Sequence, residues 1–400
     1  MPEVDIVIYG ATGFTGRQAA VLLDAIAPAE VRLGLAGRRA DALQKVAGSL
    51  TRDVVCMVAD SHEPSTVDAM VQRARVVLTT AGPYSRYGTP VVEACVRHGV
   101  DYVDITGETP WVYDMITAHH ETAKAKGLRI VPFCGFDSVP SDLGVFVAEA
   151  WARENWGCGL QEDHAVFSAK GGFNGGTLAS ALTMSEMGRN RELAQPFLLD
   201  GPREVSREEK RANFDVRSPV YLEPHGGWVA PFFMAPINTR VVRRSAALRA
   251  AAGAPIGEGF RYQEYMSVGR SRLAALATTA GLGLFAGLMQ FGWGRSLFQR
   301  LGPRPGQGPS EAAMDGGFTR AVHYAAAENG KHLKMVLSSP GDPGNRVTVR
   351  FLCECALALV LNREELPAAA GLLTPSTAFG EVLVRRLREA GMTLEVTPEV

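Results

Sequence analysis

Gly10-Ala11-Thr12-Gly13-Phe14-Thr15-Gly16 directly follows an apolar run, Val4 to Tyr9, and opens a helix-like stretch, Arg17 to Asp24. A strand that turns on glycines into a helix aims the helix's unpaired first N–H groups at one spot. An anionic phosphate placed there gains hydrogen bonds and the positive end of the helix dipole. Glycines in that spacing also build ordinary tight turns; the flanking strand and helix are what make a dinucleotide site the better reading. Gly10, Thr12, Gly13, Phe14, Thr15 and Gly16 are therefore expected around a pyrophosphate.

The rest of the N-terminal third keeps the same rhythm. Strand candidates are Val4–Tyr9, Val31–Ala36, Val54–Val58, Val76–Thr80, Tyr102–Ile105 and Leu128–Phe133, with helical stretches between them. Alternation of this kind predicts a doubly wound parallel sheet, the Rossmann α/β class. Ligands of such sheets collect at the strands' C-terminal ends, which selects the loops Gly37–Arg39, Ala81–Gly88, Thr106–Glu108 and Gly135–Asp142.

The rhythm changes near residue 140. Gly171-Gly-Phe-Asn-Gly-Gly-Thr177 reads as a glycine-rich turn into a helix, Gly302–Ser310 as a loop, and Thr319–Ala327, His332–Ser338 and Arg346–Leu352 as strands. Thr374-Pro375 and Gly391 bracket a last amphipathic helix. The expected organisation is a nucleotide domain over 1–139, an inserted second α/β (α+β) domain for substrate binding and dimerisation over 140–365, and a C-terminal segment, 366–400, whose helix packs back on the first domain.

The 400 residues carry a formal net charge of −1 with no basic block, so a nucleic-acid partner has no electrostatic footprint. The six cysteines form no C-x-x-C pair and no metal set completes around them. The chain starts almost at once with a strand rather than a signal peptide, and a cytoplasmic protein is expected.

The second strand ends in Gly37-Arg38-Arg39, where a site selective for NAD would carry an Asp or Glu for the ribose 2′-OH. A carboxylate repels a 2′-phosphate and a guanidinium pairs with it, so NADP is expected, with Arg38 and Arg39 as clamps. Alternatively an arginine here only caps the next helix. Asp60 ends the third strand, as a contact to the adenine amino group or as a turn residue. Gly82 and Pro83 end the fourth, beside the nicotinamide half. Tyr84, Tyr87, Asp137 and Ser138 are the catalytic candidates: two hydroxyl donors by loop position, and a Ser–Asp pair after the sixth strand. Each also has a plain reading as a loop or capping residue. Glu108 and Asp142 are further proton-handling or positioning candidates, and Lys170, Asn174 and Thr177 could close the site from the second domain. His119-His120 is expected on an exposed helical face.

Gly10–Arg17, Ala36-Gly-Arg38, Gly82-Pro-Tyr84, Tyr87-Gly88, Tyr102–Glu108 and Gly135–Asp142 together resemble the saccharopine dehydrogenase-like oxidoreductases. Gly171–Thr177, Pro305–Ser310 and Leu373-Thr-Pro375 resemble the actinobacterial branch that contains the trans-acting enoyl reductases. The resemblance spans nearly the whole chain. It implies NADP-dependent reduction of a carbon–carbon double bond in an enoyl thioester, on a polyketide or fatty-acyl chain carried by a synthase. A saccharopine-type amino-acid C–N oxidoreductase is the alternative; its polycarboxylate substrate would need clustered arginines such as Arg240, Arg243 and Arg244. A non-catalytic, nucleotide-binding protein at a lipid surface is the third reading.

Leu273 to Trp293 is an uncharged stretch of 21 residues flanked by Arg270, Arg272, Arg295 and Arg300. Its length reaches the threshold for a membrane span, but four glycines dilute it, and a span inside this domain is topologically awkward. A helix buried in the core or in a homodimer, a peripheral membrane helix, and a true span remain open on sequence.

Overall fold

The computed structural model describes residues 2–399 apart from 173, 187, 202 and 305, and the side chains of 177, 181 and 190 are likewise outside the description. Phe173 and Pro305, part of the motifs above, thus lie outside the described residues.

Six parallel strands, β1 (Val4–Tyr9), β2 (Leu33–Gly37), β3 (Val55–Val58), β4 (Ala74–Thr79), β5 (Asp101–Asp104) and β6 (Arg129–Val131), lie in the spatial order 3-2-1-4-5-6. The helices between them are α1 (Phe14–Ile26), α2 (Ala40–Ala47), α3 (Pro64–Val71), α4 (Tyr84–Tyr87), α5 (Thr89–His98) and α6 (Thr109–Ala125). Every residue of β1 is buried, because helices cover both faces of the sheet. Ile6 and Ile8 face one core with Ala19 and Leu23 of α1; Val7 and Tyr9 face the other with Val67 and Val91.

From β6 the chain enters α7 (Val139–Trp156) and then a second, mixed sheet. Its strands are β7 (Leu160–Lys170), β8 (Val220–Leu222), β9 (Gly227–Pro231), β10 (Arg261–Arg270), β11 (Phe318–Ala327) and β12 (His332–Pro340), with β10 parallel to β7 and the other pairings antiparallel. Its helical insertions are α8 (Gly175–Glu186), α9 (Asn190–Leu193), α10 (Arg207–Ala212), α11 (Ala235–Ala251), α12 (Arg272–Met289), α13 (Gly292–Leu301) and α14 (Glu311–Asp315). The fold is thus a Rossmann-type parallel sheet joined to a second α/β unit.

The C-terminal part returns to both sheets. Arg346–Leu352, expected as a strand, is instead the π-turn Pro343–Val347 leading into α15 (Thr348–Leu361). That helix is buried nearly all round between α1 and the first sheet, so its sequence is apolar without a helical stripe and imitates a strand. Gly371–Leu372, β13, adds a seventh strand beside β6; α16 (Pro375–Glu389) packs on α7 and α15; and Thr393–Glu399, β14, pairs with β12 of the second sheet.

His120 is half-buried rather than on an exposed face: its Nδ1 accepts from Leu372 N–H (3.1 Å) and from the Arg244 guanidinium (3.2 Å). Burial and the neighbouring Arg244 push its pKa down. It pins the β13 edge of the sheet.

The uncharged stretch divides into α12 and α13 with a break at Gln290–Phe291. Only Ala275 and Met289 of α12 are buried, which excludes the core-helix reading.

Candidate active site

A cleft of about 680 Å³ opens where β1, β2 and β4 end, between the glycine turn and α8 of the second unit. Gly10, Thr12, Gly13, Phe14 and Thr15 line it. Gly10 takes φ +87°, a left-handed backbone open to glycine, and its carbonyl accepts the Gly13 N–H at 2.9 Å. Gly16 is required for a different reason: a Cβ there would sit 2.2 Å from the Gly10 carbonyl oxygen. Gly13 caps α1 without a side-chain hydrogen bond, and the first turn of α1 holds no acidic residue. Free first-turn N–H groups, a cradle that side chains would fill and no competing carboxylate fit a pyrophosphate. Phe14 is half-buried and packs against Gly308, so the loop after α13 reaches over the turn.

Arg38 stands exposed on the cleft wall, free of any carboxylate at the end of β2. Arg39 is outside the cleft lining, exposed at the N-cap position of α2 without a side-chain capping hydrogen bond. Asp60 lines the cleft, and its carboxylate accepts the His62 N–H (3.0 Å), the turn role expected as one of its two readings. Gly82 and Pro83 form the wall on the β4 side.

Opposite them stands α8, with Leu178, Ala179, Leu182 and Thr183 on the cleft. Ser180 approaches Gly82 closely and donates to Glu108 Oε1 at 3.0 Å. Glu108, almost fully buried, also accepts the N–H groups of Tyr84 (2.8 Å) and Ser85 (2.9 Å). Its carboxylate thus fixes the Gly82–Tyr84 turn and ties α8 to it. Ser180 carries no local motif, which is why sequence reading passed over it.

The four catalytic candidates separate. Tyr84 does not reach the cleft: its side chain is buried, its hydroxyl donates to Thr79 O (3.1 Å) and accepts from Ile105 N–H (3.4 Å), and burial drives its pKa far up. Tyr87 lines the cleft, but its ring meets His62 edge-on at 5.6 Å, on the β3 side where the adenine half belongs. Ser138 is fully buried, caps α7, and its hydroxyl donates to Asn238 Oδ1 (3.3 Å). Asp137, on the loop after β6, does not line the cleft; it is partly buried without a hydrogen bond to its carboxylate among the described residues, and burial raises its pKa to about 6.

Asp142 is not at the cleft. It sits buried where α7, α11 and α16 meet, accepting from Ser245 and from Ser376 N–H (2.7 Å), with a pKa raised to about 6 by burial. Lys170 is exposed at the end of β7 and off the cleft. Asn174 does line it, and its amide donates to Asn345 Oδ1 (2.8 Å). The Thr177 side chain lies outside the described residues.

Behind Ser138 a buried polar chain continues into the second sheet. Asn238 donates to Glu264 Oε2 (3.0 Å), and Ser141 (2.5 Å) and Tyr262 (2.8 Å) donate to Glu264 Oε1. Burial raises Glu264 to about 7. His323 faces acceptors on both ring nitrogens, Asp163 (2.8 Å) and Pro140 O (3.1 Å). Burial lowers its pKa, Asp163 raises it, and the net shift is upward, towards an imidazolium that bridges α7 and the second sheet.

Arg240, Arg243 and Arg244 are buried along α11 and committed to the fold. Arg240 pairs with Asp215 (2.5 Å) and donates to Leu193 O and Gln195 O; Arg243 donates to Pro196 O and Tyr262 O; Arg244 donates to Leu199 O and Leu372 O.

The strand order, the glycine cradle and the basic end of β2 define a Rossmann-type, NADP-dependent oxidoreductase. Residues 6–131 match the family described as saccharopine dehydrogenase NADP binding domain. Rv2449c of Mycobacterium tuberculosis (strain H37Rv), provisionally named a trans-acting enoyl reductase, is 41% identical over 99% of this chain and 98% of its own. The trans-acting enoyl reductase of Mycobacterium ulcerans (strain Agy99) is 37% identical, also over 99% of this chain and 98% of its own. Among solved structures, apo saccharopine dehydrogenase (L-Glu forming) from Saccharomyces cerevisiae superimposes with a TM-score of 0.57 at 13% identity, covering 99% of this chain and 100% of that one. The chain belongs to the saccharopine dehydrogenase-like oxidoreductase family.

Proposed function

We propose that the protein reduces the carbon–carbon double bond of an enoyl thioester on a polyketide or fatty-acyl chain delivered by a carrier protein. One observation carries this reading over a saccharopine-type reaction: the α8 wall offers Leu178, Ala179 and Leu182 beside Thr183 and Glu186 but no cation, while the Arg240–Arg244 cluster that would bind a polycarboxylate is spent on backbone carbonyls and Asp215. The names of the mycobacterial relatives support the same substrate class.

When bound, the dihydronicotinamide supplies a hydride. The chain's residues would do the rest. Gly10, Gly13 and the first turn of α1 hold the pyrophosphate, and Arg38 meets the 2′-phosphate. Leu178, Ala179 and Leu182 would exclude water and lay the acyl chain along the Gly82–Pro83 turn, with Glu108 and Ser180 fixing the two walls together. Asp137 does not line the cleft and takes no step in the reaction; the α-carbon would take its proton from solvent at the cleft mouth. Tyr87 and Ser138 have positioning roles only.

The test is NADPH consumption with medium- and long-chain enoyl thioesters and with lysine plus a 2-oxo acid, alongside NADP+ reduction with the amino acid saccharopine. Turnover of the thioesters alone is expected; turnover only with the amino acids would transfer the assignment to the C–N reaction.

A further inference from the structure

The geometry points to α12 and α13 as a docking surface for an anionic lipid membrane, holding the protein against it with the cleft mouth beside the interface. α12 packs along β9 and β10, Ala275 and Met289 are its buried residues, and Ser185 Oγ of α8 donates to Met289 O at 2.7 Å. The helix is therefore anchored along one side and not free to cross a bilayer. Its other side is bare: Leu273 is 79% exposed and Leu284 66%, and Trp293 (63%) and Leu301 (77%) extend the same property onto α13. A Cβ added at Gly281, Gly283 or Gly287 would meet nothing within 4 Å, so none of the described residues packs on that face at these glycines.

Charge selects the occupant. Residues 270–310 contain five arginines and no Asp, Glu or Lys. Arg270, Arg272, Arg300 and Arg304 are exposed, whereas Arg295 caps the end of α12 through Met289 O (3.0 Å). A second copy docked isologously through this face would set these arginines against their own copies, with no acid in the segment to pair them. Exposed Leu and Trp ringed by cations are instead the composition that enters an anionic headgroup layer. The face is continuous with the site, because Gln299, Pro303 and Arg304 also line the cleft. The inference is independent of the proposed reaction.

The test is vesicle flotation of the full chain, with phosphatidylcholine alone and with added phosphatidylglycerol. Wild type should float with the anionic vesicles and be released by high salt. Arg300→Gln should weaken the partition roughly five-fold. Leu273→Asp/Leu284→Asp should stay in the soluble fraction with an unchanged melting curve. Should that variant melt early, quenching of wild-type emission by brominated lipid, lost in Trp293→Phe, decides the question instead. No flotation with either vesicle overturns the inference, as does equal flotation with both. A dimer in sedimentation that dissociates in the double variant, without flotation, gives the surface to a second copy.

Discussion

Gly16→Ala separates the pyrophosphate cradle from the rest of the fold. The new Cβ would lie 2.2 Å from the Gly10 carbonyl oxygen and 2.9 Å from Ala11 Cα, both backbone atoms that cannot rotate away. Relief requires the 10–13 turn to move by roughly 1 Å, at a cost of about 1–3 kcal/mol in folding stability. The same movement withdraws N–H groups aimed at the pyrophosphate. A hydrogen bond to a charged group contributes about 1.5–3 kcal/mol, so losing one weakens NADPH about 10- to 100-fold. Fluorescence titration with NADPH, paired with a melting curve, reads both effects. A folded variant that binds NADPH within two-fold of wild type would refute the placement of the cofactor at this turn.

Three further substitutions probe other parts of the account. Arg38→Ala should weaken NADPH about 10-fold or more and leave NADH unchanged, as a single charge-assisted contact to a phosphate implies; parallel titrations check it. Native Asp137 keeps its proton to about 6 against about 4 when unfolded, so its contribution to stability falls as pH rises between those values. Chemical denaturation should accordingly find Asp137→Asn stabilised above pH 6, by about 2 kcal/mol, with the gain gone near pH 4. Arg240→Met should lower stability by about 3 kcal/mol, by taking the guanidinium from Asp215, which keeps only the Thr239 hydroxyl, and leaving two carbonyls unpaired, without changing NADPH affinity.

The nucleotide half was legible because its signals are local. A buried strand, a glycine turn and a helix start occur within twenty-odd residues, and all six expected strands recur within a few residues at their ends. Elements decided by distant packing were not legible. β13 has two residues, and α15 lost its helical stripe by being buried on every side. The candidate site divides the same way. Gly10 to Gly16, Arg38 and Gly82–Pro83 follow from backbone geometry, but loop position fixes where a backbone runs and not where a side chain points. Tyr84 turned inward for that reason. Ser180, Leu178 and Leu182 lie about a hundred residues beyond the loops they face, and no spacing in the sequence announces that meeting.

The most direct measurement follows the hydrogen. Deuterium-labelled NADPH is incubated with the protein and a carrier-bound enoyl thioester, and the product is examined by mass spectrometry and NMR. The account predicts a saturated acyl chain with deuterium on the β-carbon and a solvent proton on the α-carbon. Deuterium found instead on a carbon bonded to nitrogen, in amino-acid substrates only, would contradict it.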